Sequence, residues 1–125
     1  ARFETLAGSA FAMSKSGGQV GIFVTYDRGD AWFMQVPNRD SMAKEMRELQ
    51  KQYNHQRITL QFVENPGAHT YVAAVNEAAR HAYQEGFDFF FQINDDVRFL
   101  TPDWDTHFYH AMMRLDSFGL AGPHR

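Results

Sequence analysis

The chain has 125 residues, 44% of them hydrophobic and 15% aromatic, with 12 Phe. That is enough for one domain with its own core and too little for two. Twelve Lys and Arg against 15 Asp and Glu leave a formal net charge of −3 without a basic cluster, which argues against nucleic acid or an anionic membrane as the main partner. Cys is absent, so disulfide frameworks and thiolate metal sites are excluded, and no apolar run reaches the ~20 residues of a membrane span.

"LAGSAFAM", residues 6 to 13, is short and built of small residues, with Glu4 and Arg2 just before it. It reads as a loop or helix entrance rather than the core of a signal peptide. Residues 1–18 therefore lead into a single domain whose core spans 19–125. "VGIFVTY", residues 20 to 26, is rich in β-branched and aromatic side chains and lies between Gly17-Gly18 and "DRGD". This composition predicts a buried strand ending in a polar loop. "AWFMQV", residues 31 to 36, could hide a further strand.

In "SMAKEMRELQKQY", residues 41 to 53, Met42, Met46, Leu49 and Tyr53 form one helical stripe, with Asp40 or Ser41 as N-cap. "RITLQFV", residues 57 to 63, alternates Ile58, Leu60 and Phe62 against Thr59 and Gln61, a strand with one better-buried face. A helix is predicted from about Thr70, with Val72, Val75, Ala79 and Ala82 on one face and Gly86 ending it.

"FDFFFQINDDVRF", residues 87 to 99, then spends four Phe on a strand that ends at Asn94, Asp95 and Asp96. "TPDW" predicts a helix start with Thr101 as N-cap and Pro102 in the first turn, and a stripe of Trp104, Phe108, Met112 and Leu115. "FGLAGP", residues 118 to 123, could begin one more strand.

This order, β-α-β-α-β-α and then a possible β, predicts an α/β fold: a Rossmann-like, mostly parallel sheet with helices on both faces. In such sheets ligands sit beyond the carboxyl ends of the strands. "YDRGD" and "NDD" both fall there, so both polar clusters are expected at one crevice.

Adjacent carboxylates repel and are costly to desolvate without compensation. A dinucleotide site would need a Gly-rich turn after the first strand, and "TYDRGDAW" has one Gly; a phosphate-cradling Gly-rich loop is also missing. Neighbours in sequence do not readily supply the spacing of a glycosidase acid and base pair. A hard divalent cation shared with substrate phosphates fits better, the alternative being that the acidic residues cap a turn. Asp103, His107 and His110 share one helix face but read as surface polar residues.

Residues 65–104 resemble the donor-binding core of GT-A glycosyltransferases. The residues that carry the likeness are Asn65, Gly67, Ala73 or Ala74, Asn76, Ala82, Gly86, Asn94-Asp95-Asp96 and Pro102-Asp103-Trp104, with "GLAGP" at 119–123 as the next strand region. The resemblance implies a metal-dependent transferase that binds a nucleoside-diphosphate sugar through Mn²⁺ or Mg²⁺ and passes the sugar to an acceptor of unspecified kind. Asp96 would be the direct metal ligand, and Asp95 would reach the metal through water or bond the ribose. Asn94 stands where the first aspartate of the acidic motif would be. Tyr26 and Asp27 would contact the nucleotide, with Thr25 beside them and Asn76 facing the donor. Only one clear helix occupies 28–56, where the family carries another βα unit, and the family's acceptor-binding half would follow residue 125. The chain is thus expected to be the donor half of such an enzyme, with cytoplasm and secretory lumen both open as locations. Two other readings stand beside it. One is a nucleotidyltransferase, disfavoured by the missing Gly-rich, Arg-containing loop. The other is a non-catalytic nucleotide-binding or assembly domain.

Overall fold

The computed structural model describes residues 2–15, 17–67 and 69–115. Among the described residues six elements follow one another: α1 (Arg2–Met13), β1 (Val20–Asp27), α2 (Val36–Gln52), β2 (Ile58–Asn65), α3 (Tyr71–Gln84) and α4 (Trp104–Arg114). The fold is α/β. Among the described residues the sheet has two parallel strands, paired from Val20 with Ile58 through to Asp27 with Asn65. The β1-α2-β2 unit brings both carboxyl ends to the same edge.

The pleat sends alternate residues to opposite faces of this sheet. Val20, Ile22, Ile58 and Leu60 turn to one face and meet the core formed by Leu6, Ala7, Ala10 and Phe11 of α1, Met46 of α2, Phe99 and Trp104. The other face carries Gly21, Phe23, Gln61 and Val63. Here Phe23 meets Phe87 edge-on at 5.7 Å, Gln61 bonds Glu85 just past α3, and α3 packs against both strands. Helices therefore cover both faces.

Several local expectations meet the structure directly. β1 and β2 form where their apolar runs lie, and α3 starts at its expected cap, Thr70, whose Oγ1 accepts the Ala73 N–H at 3.2 Å. Gly86 follows the end of α3 at φ +93°, a left-handed conformation that glycine adopts freely.

Other expectations are corrected. Residues 6–13 are the body of α1 rather than a loop or helix entrance. Leu6, Ala7, Ala10 and Phe11 recur at helical spacing and are almost wholly buried. In β2 the buried positions are Ile58, Val63 and Asn65, so the better-buried face changes along the strand. "AWFMQV" hides no strand. Asp30 Oδ1 accepts the N–H groups of Trp32 and Phe33, both at 3.0 Å, which closes a turn. α2 then begins at Val36 with Pro37 in its first turn, ahead of Asp40 and Ser41. Val72, placed on the apolar stripe of α3, is exposed.

The largest correction concerns residues 87–93. They pair with no strand among the described residues. Their alternation survives in part: Phe87 meets Phe23, Phe89 meets Tyr109, and Phe91 meets Phe99 and Phe108, although Phe91 is exposed as well as Phe90. An apolar run of period two reports which side chains find partners, not whether the backbone joins a ladder.

α4 starts at Trp104, three residues past the expected cap Thr101. Asp103 occupies the cap position at φ 55°, its N–H donating to Met13 O and its carboxylate accepting the Lys15 N–H at 3.0 Å. The helix start is set by its docking on the end of α1. The strand expected from "FGLAGP" falls outside the described residues.

Candidate functional site

The carboxyl ends of β1 and β2 lie side by side, and the polar residues gather there. The parallel register pairs Tyr26 with Glu64 and Asp27 with Asn65. Because the pleat alternates, these two pairs face opposite ways.

On one face Asn65, 2% exposed, organises the group. Its Nδ2 donates to Asp27 Oδ1 at 3.0 Å, and its Oδ1 accepts the Gly67 N–H at 3.3 Å. A buried amide needs both of its polar atoms occupied, and this pairing does that. Asp27 Oδ2 lies 3.6 Å from His69 Nδ1. Thr25 shares this face one pleat earlier, opposite Val63. The result is a half-open polar cluster of Asp27, Asn65 and His69, one carboxylate oxygen held and the other turned to a solvent-accessible imidazole.

Asn65→Ala is expected to cost about 1 kcal/mol of stability, because water reaches Asp27 and Gly67 and replaces part of what is lost. Urea unfolding of the variant checks it. Loss of several kcal/mol would mean that the cluster is sealed.

On the other face the Tyr26 ring stacks on Phe33 at 5.5 Å and 14°, with the Arg39 guanidinium 5.6 Å from its centroid. Arg39 also donates to Phe33 O. The outer end of the same edge carries the Arg28–Glu64 pair at 3.3 Å. Both of its members are solvent-exposed enough that the pair adds little stability. Tyr26 thus presents a built aromatic and cationic stack rather than a lone ring. It is not in the same cluster as Asp27.

The remaining site residues expected from the sequence lie elsewhere. Asn76 is exposed on α3. Asn94, Asp95 and Asp96 are exposed at a turn that follows the unpaired segment 87–93. Strand register joins Tyr26 to Glu64 and Asp27 to Asn65, and no corresponding ladder joins the acidic pair to β1. Sequence reading passed over His69 and Arg39, and it took Asn65 as part of a pattern without a role. Their significance depends on which strand ends are neighbours, and local composition does not carry that information.

Asp95 and Asp96 offer oxygen donors of the kind that Mg²⁺ or Mn²⁺ takes, exposed and next to each other. No group of three or more His, Asp or Glu side chains is placed to hold a metal among the described residues. Two adjacent carboxylates would supply at most part of the oxygen shell such a cation takes. Asp103 is committed to the Lys15 amide, so the set of Asp103, His107 and His110 remains a helix surface. No helix is long and apolar enough to cross a membrane among the described residues. No protein-family model, curated protein or solved structure matches this chain.

Proposed function

We propose that this chain supplies the donor-binding part of a glycosyltransferase with a GT-A-like sheet, taking a nucleoside-diphosphate sugar with Mn²⁺ or Mg²⁺. The observation that carries the reading is the parallel β1–β2 edge, where Asp27 is held by Asn65 at the carboxyl ends of two strands joined by a helix. That is where open α/β sheets take their ligands. The exposed Asp95-Asp96 pair and the ordered motif from Asn65 to Trp104 support it further.

In this reading Asp27 accepts hydrogen bonds from the nucleoside part, its geometry fixed by Asn65. Tyr26, stacked with Phe33 and Arg39 on the opposite face of this edge, would meet the nucleotide only past the end of β1, and Asn76 and Asn94 would contribute amides toward the donor. Asp96 and Asp95 would hold the cation, Asp96 directly. The chemistry supplied by a bound cation is Lewis-acid stabilisation of the leaving diphosphate, which gains charge as the glycosidic bond breaks.

Calorimetric titration of UDP and GDP, each with and without Mn²⁺, tests the reading. Nucleotide binding that depends on the metal is expected. Asp96→Ala should remove the metal-dependent part. Asp27→Ala should weaken binding about ten- to a hundredfold, the size of one lost charge-assisted hydrogen bond. Binding that ignores both the metal and Asp96, or no binding by either nucleotide, would overturn the proposal.

A further inference from the structure

Away from the strand ends, four residues from distant parts of the chain meet below the amino ends of the strands. Ser14, 2% exposed, follows α1 and donates its hydroxyl to Asp105 Oδ2 at 2.9 Å. Arg57, just before β2, reaches Gly17 O and Ser14 O at 3.4 Å each through its guanidinium. The Arg57 backbone N–H donates to His55 Nδ1 at 3.3 Å, and the imidazole stacks on the buried Phe11 ring at 4.9 Å. Gly17 closes the group: a Cβ there would stand 2.7 Å from Asp105 Oδ2.

Two polar atoms inside this group are fully buried without a partner, His55 Nε2 and Asp105 Oδ1. They are complementary in kind. With Nδ1 accepting, a neutral His55 carries its proton on Nε2, a donor, and the carboxylate oxygen is an acceptor. A shared water is the ordinary resolution of such a pair. The arrangement is not a nucleophilic triad, since the Ser14 hydroxyl bonds the carboxylate and not the imidazole.

The tautomer has a consequence. A proton added at Nδ1 would turn the acceptor of the Arg57 N–H into a second donor, beside a guanidinium. Arg57 O also accepts the Val20 N–H at 2.7 Å, the first bond between the β1 and β2 segments.

We propose that His55, Arg57, Ser14 and Asp105 form an acid-operated latch, in which protonation of His55 releases Ser14, Gly17 and the start of β2 from α4. The latch does not depend on the donor reading. Burial is the largest influence on His55 and pushes its pKa down, Arg57 pushes the same way, and Asp105 opposes them. The other charged groups at the junction are Asp103 and Lys15, joined through the Lys15 backbone N–H. The latched state therefore holds its proton less tightly than the released one. Its stability is fully present above the ordinary imidazole pKa of ~6.5 and is lost as pH falls through the lowered value.

Amide hydrogen exchange, expressed as protection relative to the intrinsic rate at each pH, tests this between pH 8 and pH 5. Protection of the Arg57 and Val20 amides should fall by up to about tenfold per pH unit between ~6.5 and the lowered His55 value and level off below it, as one linked proton requires. Amides inside α3 should keep theirs. His55→Gln, which retains an acceptor and cannot titrate, should make the profile flat. Asp105→Asn should move the midpoint to lower pH, and it keeps the inference testable where His55→Gln fails to fold. A flat wild-type profile would overturn the latch. So would an unchanged fall in His55→Gln, a parallel loss throughout α3, or a midpoint that Asp105→Asn leaves in place or raises.

Discussion

Trp104→Ala is expected to lower the free energy of unfolding by about 3–5 kcal/mol, the cost of emptying an aromatic site in a packed core. Trp104 is 8% exposed and stacks on Phe99 with centroids 4.0 Å apart and planes 19° from parallel. Its Nε1 donates to Ala10 O at 3.2 Å. One side chain therefore fastens α4 to α1 by both packing and a hydrogen bond. The neighbouring contacts, Asp103 N–H to Met13 O and Ser14 to Asp105, depend on the same approach of the two helices. Trp104→Phe separates the contributions. It keeps a ring against Phe99 and loses the indole N–H, and should cost about 1 kcal/mol beyond the change in volume. Urea denaturation of the three proteins decides the matter. A Trp104→Ala cost below about 1 kcal/mol would mean that the helices are held by something else.

Gly21→Ala is expected to destabilise by about 1–3 kcal/mol, the usual range for overpacking. The sign is the informative part, because alanine in the middle of a strand is ordinarily better than glycine by about 0.5–1 kcal/mol. At this position the added Cβ would come 2.7 Å from Phe23 Cε2 and 2.7 Å from Phe87 Cζ. Those rings meet edge-on, so neither can retreat without disturbing the other. Gly18→Ala is the matched control, since nothing lies within 4 Å of its added carbon. It should stay within about 0.5 kcal/mol of the parent. A stabilising Gly21→Ala would show that Phe87 does not rest over β1 in solution.

These two positions also mark what a sequence can disclose. β1, β2 and α3 were legible because their signals are local: β-branched runs, a Thr70 cap, a Gly86 stop. Trp104 was legible as part of an apolar stripe. The start of its helix was not, because Asp103 answers to Lys15 and Met13, far away in the chain. α1 was misread because small residues such as Ala7 and Ala10 carry little hydrophobic signal until a partner approaches closely. The segment from Phe87 to Ile93 looked like a strand because aromatic alternation is what strands show, and pairing is decided by the neighbour. At the site, Tyr26 and Asp27 stood out as a polar end to an apolar run. That they face opposite ways follows from the pleat of a strand, but that Asn65 and His69 join Asp27 follows from register.

The docking of α1 on α4 also bears on how the chain reaches its native state. The bond from the Phe99 N–H to Ser9 Oγ spans 90 residues, and that from Trp104 to Ala10 spans 94. Each closes nearly the whole described length, so chain entropy is surrendered before the contact repays it. The buried face of α1 waits for a segment some 90 residues further along the chain. The β1-α2-β2 unit, with its shorter crossover, is expected to form early, and the seating of α1 should be the late, rate-setting event. Alanine substitutions in the α1–α4 contact should then slow folding, whereas faster unfolding with a nearly unchanged folding rate would mean that the seating follows the barrier.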